Sequence, residues 1–100
     1  MPKRQWPFAD PPNVAVFTVR RVLDGSSWIA YVFHDAEDGA WQFHGHDTTN
    51  DIGEAKIVAL EEIVNMDPTV VELADLPPSW RAWRVSPNVG WHRAKKDEGS

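Results

Sequence analysis

The sequence predicts an α+β domain, an antiparallel meander of three or four strands with one main helix packed on one face. Two Asp-Gly pairs, Asp24-Gly25 and Asp38-Gly39, each follow a run of β-branched and aromatic residues and precede another. Asp-Gly supplies the positive φ angles of tight hairpin turns, so the two pairs predict two hairpins. A later stretch with apolar residues at helical spacing predicts the helix.

The strands of the meander follow from these β-branched and aromatic runs. Residues 14–23, 28–34 and 40–44 give the first three strands, and residues 80–85 give a fourth strand at an edge. In residues 28–34 both alternating faces are apolar. A sheet of this kind is either covered on both faces or leaves one face available to a partner.

The helix is predicted over residues 52–66, because the apolar spacing there changes from every second residue to every third or fourth. The apolar positions are Ile57, Leu60, Ile63 and Val64. Asp67-Pro68 ends the pattern, because the residue before a proline is disfavoured in the helical conformation. We expect the helix to pack on one face of the sheet through this apolar stripe.

The domain organisation follows from proline content and composition. Residues 1–13 contain four prolines and are predicted to form an N-terminal arm, residues 14–94 a single domain, and residues 95–100 a disordered tail. The chain has no Cys, which fits the reducing cytoplasm, and no apolar run approaches the ~20 residues of a membrane span. We therefore expect a cytoplasmic protein without a membrane partner.

The charge is negative and unevenly distributed. The formal net charge is -5, and residues 10–76 carry thirteen acidic against three basic side chains. Such an acidic body disfavours binding to nucleic acid or anionic lipid and would attract a basic protein partner. The alternative is that the net charge only keeps a small domain soluble.

Two segments carry the residue types of a binding surface. Six Trp residues are present, and Trp and Arg dominate protein interfaces. The candidate binding residues are Asp35, Glu37 and Asp38 in an acidic loop, and Trp80, Arg81, Trp83, Arg84 and Trp91 near the C-terminus. In the alternative interpretation, the C-terminal Trp residues fasten this segment to the fold while Arg81 and Arg84 pair with the acidic body.

One cluster has the residue types of a metal site. The alternative ligands are His34, His44, His46 and Asp47, of which His44 and His46 alternate onto one strand face. A metal-assisted hydrolase would be centred on them. The chain has neither a nucleophile-elbow motif nor a phosphate or dinucleotide fingerprint, so we expect no catalytic residues, no cofactor and no enzymatic activity.

The segments Asp-Gly-Ala-Trp-Gln-Phe at residues 38–43 and Leu-Ala-Asp-Leu-Pro-Pro-Ser-Trp-Arg-Ala-Trp-Arg at residues 73–84 carry a family resemblance. They resemble small bacterial domains of unknown function that are grouped with immunity proteins of polymorphic toxin systems, the Imm33 or DUF2185 type. The resemblance covers residues 14–91 in outline. It implies a binder that neutralises a toxin stoichiometrically, and it brings no catalytic residues.

The functional prediction is therefore a noncatalytic protein-binding module, immunity-protein-like, that takes a basic protein partner and no nucleic acid. The acidic loop would bind together with either the second sheet face or residues 80–91. The alternatives are the metal-assisted hydrolase and a homodimeric structural domain in which the second apolar sheet face is the interface between copies.

Overall fold

A computed structural model describes residues 6–46 and 55–95, and in these residues the chain forms a six-stranded mixed sheet. The strands are β1 (Ala15–Val19), β2 (Ile29–His34), β3 (Trp41–Gly45), β4 (Ala55–Ala59), β5 (Trp80–Trp83) and β6 (His92–Lys95). The helices are α1 (Arg20–Leu23), α2 (Leu60–Met66) and a 3-10 helix (Pro68–Leu73). The strand order is β4-β1-β3-β2-β5-β6, and only the β1–β3 pair is parallel among the pairs in this sheet.

The predicted meander of three or four antiparallel strands is wrong, and the first Asp-Gly pair accounts for much of the difference. The chain leaves β1 through the helical turn α1, and Asp24 and Gly25 end that turn instead of joining two strands. Gly25 has a φ of 83°, and the Asp24 amide donates to the Arg20 carbonyl at 3.0 Å. A left-handed glycine serves the end of a helix as well as a hairpin. As a result β3 lies between β1 and β2.

The second Asp-Gly pair does form the predicted hairpin, which joins β2 to β3. Gly39 has a φ of 71°, and the Asp38 carboxylate accepts a hydrogen bond from the Ala40 amide at 3.0 Å. Asp35 and Ala40 close the turn through a 2.8 Å backbone hydrogen bond. The acidic loop is therefore a tight turn at one end of the sheet.

The predicted helix over residues 52–66 is also wrong in its first half. Residues 55–59 form β4, which pairs along its whole length with β1, and the helix begins only at Leu60. Ile57 matches the helical spacing but also the alternation of a strand, and it is 64% exposed. Leu60, Ile63 and Val64 are buried, as the helical pattern predicted. Residues 52–54 lie outside the described residues.

The C-terminal strands differ from the prediction as well. β5 lies inside the sheet, between β2 and β6, rather than at an edge. The edge strand on this side of the sheet is β6. Its sequence His-Arg-Ala-Lys lacks the apolar alternation from which a strand could be predicted. Residues 96–100, to which most of the predicted tail belongs, lie outside the described residues.

One face of the sheet packs against the helices to form the core. The buried sheet residues are Val16, Ile29, Val32, Trp41, Phe43 and Ala82, and the helical ones are Val22, Leu60, Ile63, Val64, Val70 and Leu73. The arm contributes Phe8, which is 5% exposed and meets Trp41 edge-to-face at 5.4 Å. The Trp41 indole also donates to the Asp10 carboxylate at 2.8 Å. In the described part of the chain, no helix is long and apolar enough to reach across a bilayer.

A buried arginine connects the sheet to the 3-10 helix. Arg84 is 3% exposed and donates to the Ile29 carbonyl at 2.8 Å, to the Thr69 hydroxyl at 2.9 Å and to the Asp67 carboxylate at 2.5 Å. Its guanidinium lies 4.2 Å from the centre of the Trp91 ring. Because these partners come from β2, the start of the 3-10 helix and the segment before β6, Arg84 fixes the relative positions of three segments.

We expect Arg84→Met to lower the free energy of unfolding by about 3 kcal/mol, because it removes the cation and donor from Asp67 Oδ2 and the side-chain donor from the Ile29 carbonyl. Urea unfolding followed by far-UV circular dichroism measures this change. The control is Arg81→Met at an exposed position, for which we expect a change within about 0.5 kcal/mol. Equal losses in the two variants would contradict the structural role of Arg84.

Candidate functional site

The sheet has a second face, opposite the core, which we call the open face. Trp41 and Phe43 of β3 are buried, so the alternation of a strand turns Gln42 and His44 to the other side. The residue pairs between neighbouring strands show which residues of the other strands lie on this same side. Its larger side chains are those of Phe17, Tyr31, Phe33, Gln42, His44, Ile57, Arg81, Trp83 and His92. α2 and the 3-10 helix contribute their buried residues to the core on the opposite side.

The open face consists of two rows of side chains that run across the strands. The register pairs of the first row give the order Ile57, Phe17, Gln42, Phe33, Arg81. Phe17 is 43% exposed and Ile57 64% exposed, so this row presents apolar surface to solvent. Large exposed apolar side chains grouped together are typical of interaction surfaces.

The second row carries ring side chains on four neighbouring strands, in the order His44, Tyr31, Trp83, His92. The Trp83 and His92 rings stack with their centres 5.7 Å apart. His44 meets Phe33 of the first row edge-to-face at 5.6 Å. These contacts restrict the rings of His44, Trp83 and His92, and such restriction lowers the entropy that side chains lose when they bind a partner.

A short chain of hydrogen bonds joins the acidic loop to the open face. The Gln42 amide nitrogen donates to the Asp35 carboxylate at 2.8 Å, and its amide oxygen lies 3.1 Å from His44 Nε2. In this arrangement His44 Nε2 carries the proton and donates it to Gln42. Glu37 and Asp38 are exposed at the tip of the turn. The acidic loop and the open face therefore form one continuous surface.

The C-terminal candidates do not form a single surface. Arg81 and Trp83 lie on the open face, where the Arg81 guanidinium is 5.5 Å from the centre of the Trp83 ring. Trp80 points to the core side and is half-buried. Arg84 is buried, and Trp91 packs over its guanidinium. Of these five C-terminal candidates, Arg81 and Trp83 are the two that lie on the open face.

The residues of the predicted metal cluster are separated. His34 lies on the core side, where its ring stacks on Trp41 at 3.9 Å and Nδ1 hydrogen-bonds the Leu76 carbonyl. His44 lies on the open face. His46 contacts the Ser27 hydroxyl at 2.9 Å through Nδ1, and Asp47 lies outside the described residues. Within residues 6–46 and 55–95 there is no group of three or more His, Cys, Asp or Glu side chains arranged to hold a metal ion.

Most residues of the open face were not among the sequence candidates. The apolar residues on both faces of the second predicted strand were the available signal, and two of them, Tyr31 and Phe33, occupy this face. Phe17, Gln42 and His92 gave no such signal, because their neighbours come from strands whose order the sequence did not predict. His44 was a candidate, but as a metal ligand.

Burial lowers the pKa of His44 below its ordinary value. A histidine with a depressed pKa in the folded state contributes stability above its unfolded pKa of about 6.5, and this contribution is lost as the pH falls, because the unfolded chain binds the proton more readily. We therefore expect His44→Gln to reduce the fall in the free energy of unfolding between about pH 7 and pH 5. Urea unfolding at several pH values measures it, and an unchanged fall would contradict the burial effect.

Comparison with known proteins gives little support for any family. No family model matches the chain, and no solved structure matches it. The chain is similar to the multicopper oxidase elcG of the fungus Phaeosphaeria nodorum, with 29% identity over 83 residues. These residues are 83% of this chain but only 12% of the oxidase, so the chain spans a small part of that protein's length.

Proposed function

We propose that this chain is a noncatalytic, immunity-protein-like module that binds a basic protein partner through the open face and the acidic loop beside it. The observation that carries the proposal is the continuity of these two surfaces through Asp35, Gln42 and His44. The module would act by occupying a surface of its partner. The resemblance to immunity proteins makes a toxin the class of partner we propose.

The ring side chains of the open face supply the apolar part of the contact. Trp and Tyr bring large area at a small entropic cost and are enriched among the residues that dominate binding energy. Tyr31 and Trp83 are neighbours across β2 and β5, and both remain partly exposed. A partner that covers them would remove both rings from water at once.

The acidic loop supplies the charged part. Glu37 and Asp38 are exposed, and the Gln42 amide holds the Asp35 carboxylate at the border of the open face. A net charge of -5 on the chain would speed the approach of a basic partner, and the loop would orient it. Arg81 is a positive side chain on the same face, so a partner surface with a carboxylate opposite Arg81 would bind best.

The contacts of His44 favour a binding role over a catalytic one. A histidine that activates a protein nucleophile needs a hydroxyl or thiol within reach, whereas the polar partner of His44 in the described residues is the Gln42 amide. We propose no copper chemistry for this chain. Copper sites are built from His, Cys and similar ligands, the chain has no Cys, and its described His residues are spread over different parts of the fold.

The cytoplasm is the compartment we propose, because the chain has no Cys.

The test is affinity capture from a lysate of the source organism with the wild-type chain and matched variants, read by quantitative mass spectrometry. We expect a basic protein to be retained by the wild type and its retention to fall about tenfold or more with Tyr31→Ala or Glu37→Lys. Tyr31→Ala removes ring area from the open face, and Glu37→Lys reverses charge in the acidic loop.

The control is Glu62→Lys, which makes the same charge change at an exposed position of α2, away from the open face. This variant should retain the partner like the wild type. Circular dichroism verifies that each variant is folded. The proposal fails when no basic protein shows this pattern, or when Glu62→Lys weakens retention as much as Glu37→Lys.

A further inference from the structure

The edge strand β4 has backbone groups that nothing pairs with among the described residues. Its neighbour β1 lies on one side, and β4 is the last strand of the sheet on the other. The Leu60 amide donates to the Val14 carbonyl at 2.9 Å, which marks these two residues as a hydrogen-bonded pair of the β1–β4 ladder. Hydrogen-bonded pairs alternate along an antiparallel ladder. Ala55, Ile57 and Ala59 therefore direct their N–H and C=O groups away from β1.

These three residues are spaced symmetrically about Ile57. A second β4 strand placed antiparallel around a two-fold axis at Ile57 pairs Ile57 with Ile57 and Ala55 with Ala59. Every outward N–H and C=O of the three residues then meets a partner. The small Ala side chains lie opposite each other at both ends of the contact, where bulkier ones would crowd.

The same arrangement covers apolar surface. Ile57 and Phe17 are register partners, 64% and 43% exposed, and both lie on the open face. The two-fold axis places the two copies of Ile57 directly opposite each other, with one Phe17 on each outer side. An exposed pair in one chain becomes a stripe of four apolar side chains.

Charge favours β4 over the other edge of the sheet. β6 has the sequence His-Arg-Ala-Lys, so two copies paired there would bring cations together. β4 has Lys56 as its one charged residue, and in this register Lys56 lies opposite Val58 of the second copy.

From these observations we infer that two copies of this chain associate edge to edge through β4 and form one continuous sheet with both open faces on the same side. The contact involves five residues of each strand and is smaller than the ~1,200 Å² of a standard stable interface. The dimer is therefore weak and depends on concentration. The inference does not depend on the proposed function, because it uses backbone pairing rather than partner binding.

The test is sedimentation of the full chain from about 10 μM to about 1 mM, a range that reaches weak affinities. We expect the wild type to shift from monomer to dimer across this range. Ile57→Lys and Ile57→Glu each place like charges opposite each other at the axis, and each should stay monomeric. An equimolar mixture of the two variants should dimerise again, because opposite charges then meet. This restoration requires position 57 to face itself.

The matched control is Val85→Lys, which places the same charge at another exposed apolar residue, 77% exposed and outside β4. It should dimerise like the wild type, and circular dichroism verifies that all variants are folded. A wild type that stays monomeric at about 1 mM overturns the inference. Dimerisation of Ile57→Lys with the affinity of the wild type overturns it as well. So does an equimolar mixture of Ile57→Lys and Ile57→Glu that stays monomeric. Loss of partner retention with normal dimers would count only against the proposed function.

Discussion

The guanidinium of Arg84 is the interaction on which the arrangement of this small fold depends most. It lies directly after β5, and its hydrogen bonds reach β2, Asp67 at the start of the 3-10 helix and Thr69 within that helix. A buried cation is costly unless its donors are satisfied, so Arg84 specifies the positions of its partners more strictly than an apolar side chain would. The Trp91 ring, which follows the exposed turn after β5, covers the guanidinium.

This arrangement divides the aromatic residues between two tasks. Trp41 and Trp91 stabilise the core side, the first through Phe8, His34 and Asp10 and the second through Arg84. Trp83 lies on the open face, and among the described residues it is not one of the side chains that pack against the core. The abundance of Trp is thus only partly a signal of binding, and the division follows from which way each strand position points.

The sequence predicted local features better than the pairing of strands. The hairpin at Asp38-Gly39 and the buried stripe of α2 depend on residues close in the chain, and both are present. The parallel pairing of β1 with β3 depends on how the chain leaves β1, and Asp24-Gly25 was compatible with either a hairpin or a helical end. Ile57 fitted both a helix and a strand. Its partner Phe17, from a distant part of the chain, favours the strand.

The same limit applies to the candidate site. Asp35, Glu37, Asp38, Arg81 and Trp83 were identified from residue type, because charged turns and Trp-Arg sequences stand out locally. Their neighbours Phe17, Gln42 and Phe33 join them only through the strand order, since each comes from a different strand of one row. Arg84 resembled Arg81 in sequence, yet alternation along β5 sends it inward. Residue type therefore predicted which side chains are suited to binding. Which face of the sheet each side chain occupies followed only from the pairing of the strands.

The strand order also separates the two surfaces for which we propose roles. β4 lies at one end of the sheet, whereas Tyr31, Trp83 and His92 lie on β2, β5 and β6 toward the other end. A second copy at β4 would cover the Ile57 end of the first row and leave the row of rings and the acidic loop exposed. The two associations therefore share only the Ile57 end of the open face. A dimer would present two copies of the ring row on one side of a continuous sheet, and a partner with repeated sites would bind it more tightly than a monomer, because its second contact would be intramolecular.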